Sequence, residues 1–382
     1  MADTRLYMEM LEIDSTTGKE RNLADFLADK FQTARNTLRR FDVELMEGDA
    51  SQDCGIPQNL LFSWGKPRVI FCTHMDTVPP YLPPKASGDQ VMGRGTCDAK
   101  GQIFAMWEAC KALEARGVDG FGLLLLAGEE TGSFGAKSFN ARMLAGEIGD
   151  MDQAEWIIVG EPTDNCMATA AKGTKSFEVT FTGKAFHSGY PEYGQSAVQY
   201  FNDFMNALRS IRFPYDEILG ETTFNVGKLI SDNPQNILSP ELSCRVYFRT
   251  TFESDEIVNN IMKNMAGSEA RLRFGRPKAQ DGSDIVAKDV APWQAAMSVK
   301  AFGGDSPTKY ETFDGFDCKP VSFGSDAPQL TCFPKKVLCG PGSILVAHRP
   351  DECICLSDIE KAIQTYVNIY DNITKDLTND NI

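Results

Sequence analysis

Three strongly apolar runs each stop on a residue able to bind a metal: residues 69–73 on His74, 123–128 on Glu129 and Glu130, and 156–160 on Glu161. Short apolar runs separated by stretches of helical periodicity predict buried parallel strands, and in open α/β sheets ligands gather at the carboxyl ends of such strands. Donors from three strand ends would then converge on one crevice. The pattern predicts strands over 59–64, 68–73, 122–127 and 155–159, with a helix over 99–116 between the second and third. Helices over 6–11 and 20–31 come first, separated by the stop Ser15-Thr16-Thr17-Gly18. This is the alternation of an α/β domain with a mixed, mostly parallel sheet flanked by helices.

After Gly173 the periodicity changes. Residues 176–181 alternate as a half-exposed strand, 196–211 read as a helix, 224–230 and 242–250 as strands, 255–265 as a helix and 270–274 as a last strand. The order β-α-β-β-α-β is the ferredoxin-like split motif, an α+β unit able to stand alone. A Gly/Pro/Asp-rich stretch over 275–284 marks the return. The expected division is therefore one domain built from residues 1–172 and 285–382, interrupted by a second over 173–284, with hinges at Lys172-Gly173 and near Gly282.

Composition narrows the function classes. At 382 residues, 42% hydrophobic and 24% charged, the chain can bury two cores and is not a disordered sequence. A net charge of -15 and a pI near 4.8 argue against binding nucleic acid or an anionic membrane through a basic face. Eleven cysteines without a C-x-x-C pair read as reduced thiols of a cytoplasmic protein. No run approaches the roughly 20 apolar residues of a membrane span.

The chemistry lies at the strand ends. An isolated histidine is more often structural than a ligand, but Asp76 stands two residues after His74 and offers an acceptor for the second ring N–H of a metal-bound imidazole. The glycine-rich turn of residues 93–101 lacks the spacing of a phosphate-binding loop and instead delivers Asp98, whose two oxygens suit it to bridge two metals. Adjacent Glu129 and Glu130 diverge in direction, so one can bind metal while the other acts as a general base. Glu161 adds another hard carboxylate. Of the three histidines, His348 sits far downstream close to acids, and His187 falls within the inserted domain.

Together these residues resemble the M20 family of co-catalytic zinc peptidases and deacylases, in particular its acetylornithine deacetylase and succinyl-diaminopimelate desuccinylase branch. The matching motifs stand in the family's order at residues 73–79, 93–101, 127–135, 159–163, 183–191, 323–326 and 340–348, the last followed by Asp351-Glu352. The resemblance implies a zinc-exopeptidase-like catalytic domain with an inserted lid and dimerisation domain. It makes His74 and Glu161 ligands of one metal, Glu130 and His348 ligands of the other, and Asp98 the bridge. Glu129 becomes the base, Asp76 the residue orienting His74, and the Asp98–Ala99 peptide cis. His187 would stabilise the oxyanion in the partner subunit of a homodimer formed through the inserted domain, with Asn236 and Arg249 contacting substrate. Tyr247 stands where the family usually has Asp. Two divalent cations are implied, Zn²⁺ with Co²⁺ or Mn²⁺ as substitutes. Glu rather than Asp at position 161 resembles deacylases and carboxypeptidases, and the expected activity is removal of an acyl group from an N-acyl-L-amino acid, as in amino-acid and specifically arginine biosynthesis. The alternative is a carboxypeptidase or dipeptidase acting on a short peptide. A non-catalytic binding protein is disfavoured because the base and every ligand are present.

Overall fold

The computed structural model describes residues 4–44, 55–266 and 291–379, which fall into two compact units. The first comprises Met1–Thr169, Lys309–Val321 and Ser325–Ile382; the second comprises Ala170–Thr308 and Ser322–Gly324.

The first unit is built on a six-stranded sheet. Its spatial order is Thr37–Asp42, Gln58–Trp64, Phe121–Leu126, Val69–His74, Trp156–Val159 and Lys335–Leu338. The first three strands pair antiparallel, and from Phe121–Leu126 onward all neighbours are parallel. The three donor-bearing strands are therefore adjacent and point the same way, with His74 opposite Leu126 and Cys72 opposite Val159. Every residue in them is buried, which is why each reads as an unbroken apolar run. The helices Lys100–Ala115 and Leu356–Asn379 pack on each other. They add Ile103, Phe104, Ile359 and Tyr366 to a core shared with Phe71, Leu123 and Ile158. Each fully buried side chain of this size stabilises by about 1.5–3 kcal/mol, so the sheet edge that carries the donors is a rigid platform.

The second unit holds a four-stranded antiparallel sheet in the order Thr223–Ile230, Glu241–Thr250, Gly173–Thr182 and Met297–Gly303. Alternate residues Phe177, Val179, Phe181, Val246 and Phe248 pack with Phe204 and Met262 of the helices Ala197–Ser210 and Asp255–Met265. Connectivity and strand order are those of a ferredoxin-like fold. The expected strand over 270–274, the return stretch over 275–284 and the hinge near Gly282 lie outside the described residues. The boundary expected at 285 is corrected: the second unit continues through Met297–Gly303 to Thr308. That edge strand was hidden because only Met297 and Val299 turn toward the helices, while Ser298, Lys300 and Ala301 are exposed. Among the described residues no helix is long and apolar enough to cross a membrane.

Candidate metal centre

The strand Val69–His74 ends with the His74 ring buried and pinned from both sides. Its Nε2 lies 3.0 Å from Asp98 Oδ1, and its Nδ1 lies 2.9 Å from the backbone carbonyl of Asp76. Asp98 is delivered by the turn before the helix Lys100–Ala115. Gly101 allows that turn, because a Cβ there would fall 2.5 Å from the carbonyl oxygen of Thr96. The Asp98–Ala99 peptide is cis, as the resemblance implied. The second oxygen of Asp98 sits 3.3 Å from His348 Nε2, which is also 3.0 Å from Glu130 Oε1.

Potential ligand atoms thus form two groups with a common member. His74, Asp98 and Glu161 bring theirs within 4.8 Å of one another, and so do Asp98, Glu130 and His348. A third grouping joins His74, Glu129 and Glu130. The structure therefore brings together His74, Asp98, Glu129, Glu130, Glu161 and His348.

Crowded carboxylates dominate the electrostatics. Burial pushes Glu129 and Glu161 well above the usual carboxylate range, and neighbouring acids, including Asp326, push them further. Burial acts on Asp98 too, but hydrogen bonds from His348 and His74 outweigh it and hold its pKa low. Hydrogen bonds to Asp98 and Glu130 raise His348 to about 10. Imidazole and carboxylate donors in this ratio carry excess negative charge out of water, a set suited to divalent cations.

Asp76 faces the His74 ring with two groups, its carbonyl oxygen 2.9 Å and its carboxylate 3.4 Å from Nδ1, and against the lowering effect of burial the carboxylate helps to raise the His74 pKa. Its two oxygens also accept the backbone N–H groups of Glu129 at 3.0 Å and Glu130 at 3.1 Å, and Oδ2 accepts the Thr17 hydroxyl at 3.0 Å. Beyond the expected pairing, Asp76 therefore aims the Glu129-Glu130 turn.

Glu20 lies behind Asp76, fully buried, and sequence reasoning passed over it. Burial first, and the Asp76 charge second, raise its pKa from 4.5 to about 8. The native state then holds the proton more tightly than the unfolded chain does. The stability this contributes is complete below pH 4.5 and is lost as pH rises through about 8. Glu20→Gln, which keeps the neutral shape, is expected to melt several degrees above wild type at about pH 9 in metal-free protein, with the difference closing near pH 5. Parallel melting curves across that range would contradict the buried proton.

The remaining expected residues lie in the second unit. His187 is exposed, and its Nδ1 accepts the Gly189 N–H at 3.0 Å, which leaves Nε2–H as the donor of the neutral ring. Asn236 is beside it, its carbonyl accepting the Ser188 N–H at 2.9 Å. Both ride on loops that leave the end of the sheet where Thr182 faces Glu241. Arg249 faces Thr174 at the other end, half-buried and 5.0 Å from the centre of the Tyr247 ring. The strand between spans roughly 25 Å at about 3.3 Å per residue, so one chain does not bring His187 and Asn236 to Arg249 within this sheet.

The sequence pattern of peptidase family M20/M25/M40 matches residues 70–372. The chain belongs to this family. As an M20 protein it is a metal-dependent hydrolase. It is 30% identical over 373 residues to a peptidase M20 domain-containing protein of Schizosaccharomyces pombe, covering 94% of this chain and 82% of that one. A probable carboxypeptidase of Aspergillus terreus is 29% identical over 393 residues, covering 94% and 84%. Among solved structures, a tripeptidase of Staphylococcus aureus superposes with a TM-score of 0.71 at 19% identity, over 96% of this chain and 97% of that one. These relatives carry peptidase names, whereas the sequence reading favoured the deacetylase branch.

Proposed function

We propose that this M20 protein is a two-metal carboxypeptidase-type hydrolase that releases the C-terminal residue of a short peptide. One observation carries the two-metal reading: Asp98 belongs to both donor groups, one completed by His74 and Glu161, the other by Glu130 and His348. The relatives named probable carboxypeptidases support the peptide reading over removal of a small acyl group. The two reactions share their bond, an amide whose leaving amine carries an α-carboxylate. They differ in what lies on the acyl side.

Bound here, two divalent cations, Zn²⁺ by donor type, supply Lewis acidity that polarises the scissile carbonyl and lowers the pKa of a water toward about 7. Glu129 takes the proton of the attacking water and returns it to the leaving amine. With two cations bound, the burial and neighbouring acids that raise its proton affinity in the metal-free protein are offset, leaving the Glu129 carboxylate ionised to take that proton. Asp76 keeps it in place through the Glu129 amide. The Nε2–H of His187 donates to the oxyanion, and Arg249 pairs with the substrate carboxylate through its fork. Because His187 and Asn236 leave the sheet at the end opposite Arg249, all three reach one substrate when the first two come from a second copy in a homodimer.

A substrate panel tests the reading. N-blocked dipeptides with a free C-terminus are expected to be cleaved, their C-terminal amides to react at least about 100-fold more slowly for want of the Arg249 pairing, and N-acetyl amino acids to be poor substrates. Cleavage of N-acetyl amino acids alone would restore the deacetylase reading, and cleavage confined to peptides with a free amino terminus would replace it with an aminopeptidase.

A further inference from the structure

Away from the donors, one buried ion pair joins two of the loops that carry them. Glu352 and Arg94 are 1% and 2% exposed, with Glu352 Oε2 2.5 Å from Arg94 Nη1. Glu352 Oε1 accepts the backbone N–H groups of Cys97 at 3.1 Å and Asp98 at 3.2 Å, and its own carbonyl accepts the Gly93 N–H at 3.0 Å. The Arg94 side chain also donates to the carbonyls of Arg349 at 3.4 Å and Pro80 at 3.3 Å. The turn that delivers Asp98 is thereby fastened to the loop that carries His348, four residues before Glu352.

The two donor groups differ in what holds them. His74 and Glu161 follow buried, register-locked strands. His348 has a φ of 64°, a left-handed conformation that a non-glycine residue keeps only where its surroundings hold it. The Arg349 carbonyl beside it is gripped by both partners of the pair, by the Arg94 guanidinium and by the Glu352 N–H at 3.3 Å.

We infer that Glu352, through its pairing with Arg94, is a positioning residue that sets Asp98 and His348 for the second of two cations. This rests on the two-cation reading above. Loosening the clamp leaves His74 and Glu161 in place but disturbs Asp98, one donor of the strand-borne group, and both Asp98 and His348 of the loop-borne one, so the second site should weaken more than the first.

The test is titration of metal-free protein with Co²⁺, followed by visible absorption and by native mass spectrometry, alongside thermal melting. In Glu352→Gln the second equivalent is expected to bind about 10–100-fold more weakly, as for other residues that orient metal ligands, and the first to weaken by less than about 10-fold, since only Asp98 of its donors is held by the clamp. Because the single change strands Arg94 without its buried partner, the double variant Arg94→Gln/Glu352→Gln serves as a second probe that removes both charges together. It should fold and show the same selective loss. Wild-type affinity for the second ion in a folded variant would overturn the inference, as would equal weakening of both ions. Wild-type protein that takes up a single ion would instead overturn the two-cation reading, and this inference with it.

Discussion

Glu129→Gln is expected to keep both cations and lower kcat by about 10²–10⁴-fold, the usual contribution of a general base, with KM little changed. The amide keeps the shape of the side chain but cannot take a proton from water. Metal content decides the interpretation, because the Glu129 carboxylate also falls in a grouping with His74 and Glu130. A variant that lost an ion along with its activity would make Glu129 a ligand and leave the base unassigned. Steady-state kinetics paired with elemental analysis on the same preparation distinguishes the two.

Asp98→Ala carries the largest expected effect, since Asp98 alone belongs to both the His74–Glu161 and the Glu130–His348 groups. Its removal should weaken binding of both ions and take activity below the roughly 10²–10⁴-fold loss of Glu129→Gln. Glu161→Ala, by contrast, removes a donor from one group only. Retention of two ions by Asp98→Ala, measured by elemental analysis after gel filtration, would show that the carboxylate does not bridge.

The donors were legible because burial and chemistry leave separate marks on the same segments. A strand covered on both faces must be apolar throughout, so a His or Glu closing such a run is conspicuous, and three adjacent parallel strands place those residues on one edge. Contacts between distant segments leave no such mark. Asp76 is two residues from His74, which suggested that pairing, but nothing local showed that its carboxylate also serves amides 53 and 54 positions away. The Arg94–Glu352 pair spans 258 positions, and Asp351-Glu352 was visible only as the tail of a motif. The second unit's edge strand was missed for a third reason, since a strand with two core-facing residues carries too little alternation to register.

The central claim is that one carboxylate is shared by two cations. Crystals of the zinc-loaded protein, measured above and below the zinc absorption edge, test it most directly. Two anomalous peaks per chain are expected, both against Asp98, one also bounded by His74 and Glu161 and the other by Glu130 and His348. A single peak at full zinc loading, or two that do not share Asp98, would contradict it.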